Sequence, residues 1–224
     1  MEALEINTGT HPSSAVIWLH GLGADGHDFA PIVPELGLPP RLAVRFIFPH
    51  APLLPVTINN GYAMPAWYDV RSLDLRQTED EAGIRASQQL LEALIRREEA
   101  RGIPAARIVL AGFSQGGAIA LHTGLRYEAP LAGVLALSTY LPLPRALASE
   151  ASPANAGLPV FMAHGTADGV IPAAQGAASR DWLEQHGYTV DWREYPMAHS
   201  VCAEEITDIG QWLVRVLTVG HTQG

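Results

Sequence analysis

Val109-Leu110-Ala111-Gly112-Phe113-Ser114-Gln115-Gly116-Gly117-Ala118 is the stretch on which the reading of this chain turns. Ile108 to Ala111 is an apolar run with the length and composition of a short buried strand, and a helical pattern from Ala118 to Leu125 follows at once. Between them lies Gly112-x-Ser114-x-Gly116. A sharp strand-to-helix turn forces its central residue into a strained backbone conformation. Side chains two positions either side then collide with neighbouring backbone, so both positions want glycine. The turn lifts the Ser114 hydroxyl clear of the sheet edge and sets it at a helix N-terminus, where unpaired N–H groups favour negative charge. That is the geometry of a nucleophile elbow. With 21 glycines among 224 residues, a match at three positions carries little alone; the strand before it and the helix after it supply the required context. The rival glycine-rich pattern, G-x-G-x-x-G, is absent from this segment, Ser114 standing where its second glycine belongs.

Working outward, a hydrophobic content of 48% against 17% charged residues is ample for a large core and excludes a disordered or fibrous chain. The length and the lack of repeats or linkers suit one domain over residues 1–224, with a frayed tail at 220–224. A net charge of -9 argues against nucleic acid and anionic membranes as partners. The single cysteine, Cys202, excludes an internal disulfide and a cysteine-rich metal site, and fits a reducing, cytoplasmic setting. Met1 to Glu5 is acidic and lacks the apolar run of a signal peptide, and no stretch approaches a membrane span, so no integral membrane association is expected.

Along the chain, strands and helices alternate. Leu4 to Ile6 reads as a short edge strand, Ala15 to His20 as a buried strand and Phe29 to Leu36 as a short helix stopped by Gly37. A strand at Val44 to Phe48 follows. Pro49 to Thr78 reads as a long irregular stretch with an apolar centre, Met64-Pro65-Ala66-Trp67-Tyr68-Asp69. Long loops of this kind are often functional; these residues border a substrate groove, pin the loop to the body, or do both. Glu79 to Arg101 has a helical apolar stripe at Ile84, Leu91, Leu94 and Ile95. Strands at Gly133 to Ser138, Pro159 to Gly165 and Val190 to Tyr195 alternate with a Pro/Ala-rich connection (Thr139 to Gly157, one helical turn) and a helix (Ala173 to His186). A last helix spans Glu204 to Leu217. The alternation predicts an α/β fold, a mostly parallel central sheet with helices on both faces.

A serine hydroxyl needs a base within hydrogen-bond reach, and that base needs an orienting carboxylate. In open parallel sheets such groups gather beyond the carboxyl ends of the strands. Asp168 follows the strand Val160 to Ala163, and His199 follows the strand ending at Tyr195. Each has a plainer reading: Asp168-Gly169 as a turn, His199 as a surface or capping residue. His164 is a rival base at a strand end. The three arrive in the order Ser114, Asp168, His199, which is one of the known triad orders. After the strand Ala15 to His20 comes His20-Gly21-Leu22-Gly23-Ala24-Asp25-Gly26. This is either a plain turn or a loop whose backbone N–H groups approach a ligand. Paired with the elbow it predicts two oxyanion donors, the N–H groups of Leu22 and Gln115. His20 is read as shaping that loop, with a role as base as the alternative.

The same residues resemble a known family, the small carboxylesterases of bacteria in the phospholipase/carboxylesterase family, which includes the acyl-protein thioesterases. The matching segments are Trp18-Leu19-His20-Gly21-Leu22-Gly23, Met64 to Asp69, Gly112 to Gly117, His164-Gly165 with Asp168, and Tyr195-Pro196-Met197-Ala198-His199. They run in family order over nearly the whole chain. The resemblance implies an α/β-hydrolase fold without a large lid domain, hydrolysis of carboxylic esters with thioesters or lysophospholipids as further substrates, and a homodimer. It implies Ser114, Asp168 and His199 as the triad, Leu22 and Gln115 as oxyanion donors, and Gly23, Met64 and Trp67 as substrate contacts. No metal and no cofactor is expected. Ala66 stands where many relatives carry Ser, and Ala198 where many carry Gly. An acyltransferase, a peptidase or an acyl-protein thioesterase with the same triad stays open, as does a non-catalytic binding protein on the same scaffold. The loops Pro49 to Thr78 and Thr139 to Gly157 are the expected determinants of acyl chain length.

Overall fold

The computed structural model describes residues 1–72 and 79–218; the expected frayed tail at 220–224 lies outside them. In chain order the elements are β1 (Ala3–Asn7), β2 (Ser14–Leu19), β3 (Val44–Pro49), β4 (Leu53–Val56), β5 (Tyr62–Pro65), α1 (Glu81–Ala100), β6 (Ile108–Phe113), α2 (Gln115–Gly124), β7 (Gly133–Leu137), α3 (Pro144–Glu150), β8 (Val160–Gly165), α4 (Ala173–Gln185), β9 (Val190–Tyr195) and α5 (Ala203–Thr218). Seven strands form one sheet in the order β1-β3-β2-β6-β7-β8-β9. β1 pairs antiparallel to β3 at one edge, and every other pair in that sheet is parallel.

The continuous apolar runs of the inner strands follow from this architecture, because a parallel sheet is covered on both faces. Alternate residues of one strand enter different cores. Ile17 and Leu19 of β2 and Leu110 of β6 pack with Ile84, Leu91 and Ile95 of α1 and Ile119 of α2. Val16 and Trp18 of β2, with Val109 of β6, pack with Ile209, Trp212 and Leu213 of α5. The register sets Leu19 beside Gly112, Phe113 beside Leu137 and Gly165 beside Tyr195. The carboxyl ends of β2, β6, β7, β8 and β9 therefore share one edge of the sheet, and the loops that leave it carry the candidate site. This is the α/β-hydrolase fold, with no large lid domain among the described residues.

Three elements differ from the sequence reading. Ala30–Leu36 is a 3-10 rather than an α-helix; Pro34 inside it removes an N–H donor that an α-helix would use. Within the stretch expected to be irregular, β4 and β5 form an antiparallel hairpin. Asn60 and Gly61 turn it, with φ of 55° and 74°. Prolines 55 and 65 hide these four-residue strands from a sequence reader, and they are tolerated because the ribbon is nearly all edge. α2 begins three residues earlier than its apolar pattern suggested, directly after Ser114.

Candidate active site

The elbow forms because glycine is sterically required around it. A Cβ on Gly112 would fall 2.3 Å from the carbonyl carbon and oxygen of Gly116, and one on Gly116 would fall 2.4 Å from Leu19 O and 2.6 Å from His20 O. Ser114 sits between them at φ 54°, ψ −119°. That backbone is strained for a residue with a side chain. It is held from two sides: Ser114 N donates to Leu137 O (2.8 Å), and the Thr139 hydroxyl donates to Ser114 O (2.6 Å).

Asp168 and His199 reach the same edge from β8 and β9. Nδ1 of His199 lies 2.7 Å from Oδ2 of Asp168. A carboxylate only accepts, so this contact places the proton on Nδ1 and leaves the Nε2 lone pair free to act as a base. The other Asp168 oxygen, Oδ1, accepts from the N–H groups of Val170 (2.8 Å) and Ile171 (2.9 Å), which fixes the carboxylate plane. The Phe113 ring lies 4.7 Å from the His199 ring. His164, the rival base, meets the same carboxylate from the buried side, its Nε2 3.4 Å from Oδ2 of Asp168. It is buried behind Asp168, with Nε2 2.8 Å from Ile171 O, and it does not line the cleft. Ser114 Oγ makes no hydrogen bond among the described residues. Such contacts often tighten only when substrate is bound.

The loop after β2 faces the elbow. A Cβ on Gly21 would lie 3.5 Å from the Ser114 Cβ. The N–H groups of Leu22 and Gln115 donate to no acceptor among the described residues, and both residues line the cleft with Ser114 and His199. His20 shapes this loop as expected. Its Nδ1 meets Gly21 O at 2.8 Å and its Nε2 accepts from Ala51 N at 3.1 Å. Burial lowers its pKa, keeping it neutral for both roles.

The segment Met64 to Asp69 braces the site. Trp67 Nε1 donates to His20 O (2.9 Å), Trp67 N donates to Gln115 Oε1 (2.7 Å), and Gln115 Nε2 donates to Tyr68 O (2.7 Å). Gly23 N donates to Pro65 O at 2.9 Å. Of the three expected substrate contacts, Trp67 is buried and bonded to His20 at the end of β2, while Gly23 is tied to Pro65 and Met64 lies in β5; none lines the cleft. Tyr68, Phe113, Tyr140, Val170 and Ile171 line it instead. Tyr140 escaped the sequence reading, its one signal being a tyrosine three residues beyond a parallel strand. Cys202 packs half-buried against the α5 core.

One cluster near this edge has metal-ligand chemistry. The ligating atoms of Asp25, His27 and His50 lie within 4.8 Å of one another. Each ring already has a nitrogen tied into the turn: His27 Nδ1 is 3.1 Å from Asp25 Oδ1, and His50 Nδ1 accepts from Gly26 N at 3.2 Å. The cluster is a self-satisfied turn rather than a preformed ligand set. Among the described residues no helix is long and apolar enough to cross a membrane.

A strained serine at a sheet edge, with a histidine–carboxylate pair and two N–H groups that donate to nothing among the described residues in the same cleft, defines the class: a serine hydrolase on the α/β-hydrolase fold. The chain belongs to the phospholipase/carboxylesterase family, whose model matches residues 1–217, and it is a carboxylic ester hydrolase. It is 46% identical over 215 residues to acyl-protein thioesterase 1 of Neurospora crassa, covering 92% of this chain and 87% of that protein. Acyl-protein thioesterase 1 of Mycosarcoma maydis is 41% identical, with 97% and 98% covered. The crystal structure of Arabidopsis thaliana SOBER1 superposes with a TM-score of 0.87 at 31% identity, covering 92% of this chain and 99% of that one.

Proposed function

We propose that Ser114, His199 and Asp168 are the nucleophile, the base and the orienting carboxylate of an acyl-ester hydrolase, working within one domain. The observation that carries this reading is the His199–Asp168 contact of 2.7 Å in the cleft that also holds Ser114. His199 Nε2 takes the Ser114 proton as Oγ attacks the acyl carbonyl. The carbonyl oxygen becomes an oxyanion that accepts from Leu22 N–H and Gln115 N–H, donors worth about 3 kcal/mol each in a preorganised site. The tetrahedral intermediate collapses, breaking the carbonyl carbon–leaving group bond, and His199 protonates the departing alcohol or thiol. Water then attacks the acyl-enzyme by the same route, releasing the acid and restoring Ser114.

Thioesters join esters as substrates in this reading, supported by the acyl-protein thioesterases among the relatives. The enzyme is taken as a homodimer of the reducing cytoplasm, on the family resemblance and the free Cys202; sedimentation velocity distinguishes a dimer from a 24.0 kDa monomer. The test is hydrolysis of matched p-nitrophenyl esters and acyl thioesters of graded chain length, with Ser114→Ala alongside. The variant is expected to lose about five to six orders of magnitude in kcat and its labelling by a fluorophosphonate. Turnover near the wild-type rate in Ser114→Ala would remove Ser114 from the mechanism.

A further inference from the structure

Two cavities meet at one side chain. The catalytic cleft, about 310 Å³, holds Ser114 and His199. A larger neighbour, about 610 Å³, is lined by Leu141, Leu143, Pro144 and Trp182 with Glu79 at its side. Tyr140 lines both. Its hydroxyl lies 2.9 Å from that of Tyr68, which lines the catalytic cleft alone. Both tyrosines are buried, 8% and 4% exposed, so the pair forms an internal wall rather than a surface rim.

The backbone that presents Tyr140 is under constraint. Ser138 and Leu143, on either side of it, adopt φ of 46° and 48° without being glycine. Such backbone persists only where its surroundings over-determine it, and it concentrates at functional sites. The surroundings here are explicit. Ser138 N donates to Ala163 O at 2.8 Å. Thr139 Oγ1 donates to Ser114 O, Leu141 N to Ser179 Oγ (2.9 Å) and Leu143 N to Glu79 Oε1 (3.0 Å). Segment 138–143 is thereby tied to β8, the elbow, α4 and the start of α1. A wall that only filled space would not need its backbone strained and anchored on four sides.

We infer that Tyr140, backed by Tyr68, is the partition that ends the acyl-binding part of the cleft and so limits the chain length this hydrolase accepts. The inference rests on the Ser114 hydrolase reading. Each methylene that finds apolar contact improves binding about fourfold. A chain that reaches the Tyr140 ring stops gaining. Removing the ring joins the cleft to the second cavity, where Leu141, Leu143 and Trp182 offer further apolar contact.

The experiment compares wild type, Tyr140→Ala, Tyr140→Val and Tyr140→Phe on p-nitrophenyl hexanoate and dodecanoate. The ratio of kcat/KM for the long ester over the short one is expected to rise at least tenfold in Tyr140→Ala, and in the same direction in Tyr140→Val, which keeps more core volume should the alanine variant fold poorly. Tyr140→Phe is expected to stay within about threefold of wild type, because the ring blocks the path. A second readout is spectroscopic. Dodecyl but not hexyl fluorophosphonate on Ser114 is expected to shift Trp182 emission in Tyr140→Ala, and the shift should vanish when Trp182→Phe is added. An unchanged ratio in folded, probe-reactive Tyr140→Ala or Tyr140→Val would overturn the partition, as would a Tyr140→Phe ratio equal to that of Tyr140→Ala. If wild type neither hydrolyses any ester nor is labelled, the hydrolase reading itself fails and takes this one with it.

Discussion

Ser114 and Tyr140 line one cleft, yet they are held in opposite ways. The tightest constraint on the serine's turn is local: a Cβ on Gly112 would strike the backbone of Gly116 and Gly117, four and five positions on, although a Cβ on Gly116 would strike Leu19 O and His20 O, and Leu137 O and Thr139 Oγ1 hold Ser114 from outside the turn. The far side of the cleft is assembled from distant pieces. The Tyr68–Tyr140 hydroxyl pair spans 72 positions, and the Asp168–His199 contact spans 31. The turn that carries Ser114 is thus set largely by near neighbours, whereas the His199–Asp168 and Tyr68–Tyr140 pairs depend on how strands align.

The comparison can be broken first at the assembled side. Asp168→Asn keeps an oxygen for the N–H groups of Val170 and Ile171 but turns an amide N–H toward His199 Nδ1. That favours the wrong imidazole tautomer, and kcat should fall about 10⁴-fold with little change in Tm. A loss under tenfold would mean that this long-range contact does not orient the base.

The local side is tested by stability. Gly112→Ala drives a Cβ into the Gly116 carbonyl and the Gly117 nitrogen, while Gly169→Ala, in the loop that carries Asp168, meets nothing within 4 Å. The first should cost about 3 kcal/mol or more and the second within about 0.5 kcal/mol. For a chain of this size that separates their Tm values by roughly 6–12 °C. Equal shifts in the two melts would show that the elbow is not locally packed.

A smaller effect sharpens the picture on the His199 side. Glu205, in the first turn of α5, is fully buried, and neither oxygen reaches a well-formed hydrogen bond. Burial pushes its carboxyl from 4.5 up to about 8, the backbone at Cys202 opposing it less strongly. Between those values the unfolded chain has released a proton that the folded chain keeps, so stability falls as pH rises through that window and levels off above it. Glu205→Gln should flatten that slope, worth a few kcal/mol, in urea unfolding at about pH 5 and about pH 9. An unchanged slope would assign the pH dependence to other groups.

Much of this molecule is legible from residue order. The alternation of apolar strands with Ile84, Leu91 and Ile95 on one helix stripe predicted a covered parallel sheet, and both cores formed from it. Gly112 and Gly116 announced the elbow by their spacing, although what bars a side chain from Gly116 is the Leu19 and His20 backbone, far along the chain. The hairpin at 53–65 was less visible, since its prolines argue against strands and only Asn60-Gly61 signals the turn. Trp67 read as a substrate contact, as an anchor, or as both. Its bonds to His20 O and Gln115 Oε1, 47 and 48 positions away, show the anchor.

The sequence by itself determined the fold class, the strained serine and the chain order of its three candidate triad members, because backbone sterics and hydrophobic periodicity act over a few residues at a time. Tertiary structure alone decided that Asp168 bonds His199 in the cleft at 2.7 Å while His164 meets the same oxygen from the buried side at 3.4 Å, that Leu22 and Gln115 line one cleft, and that Tyr140 lines two cavities. Those outcomes depend on strand register and on which loop ends share an edge of the sheet, and a side chain's neighbours across that edge are not encoded by its neighbours along the chain.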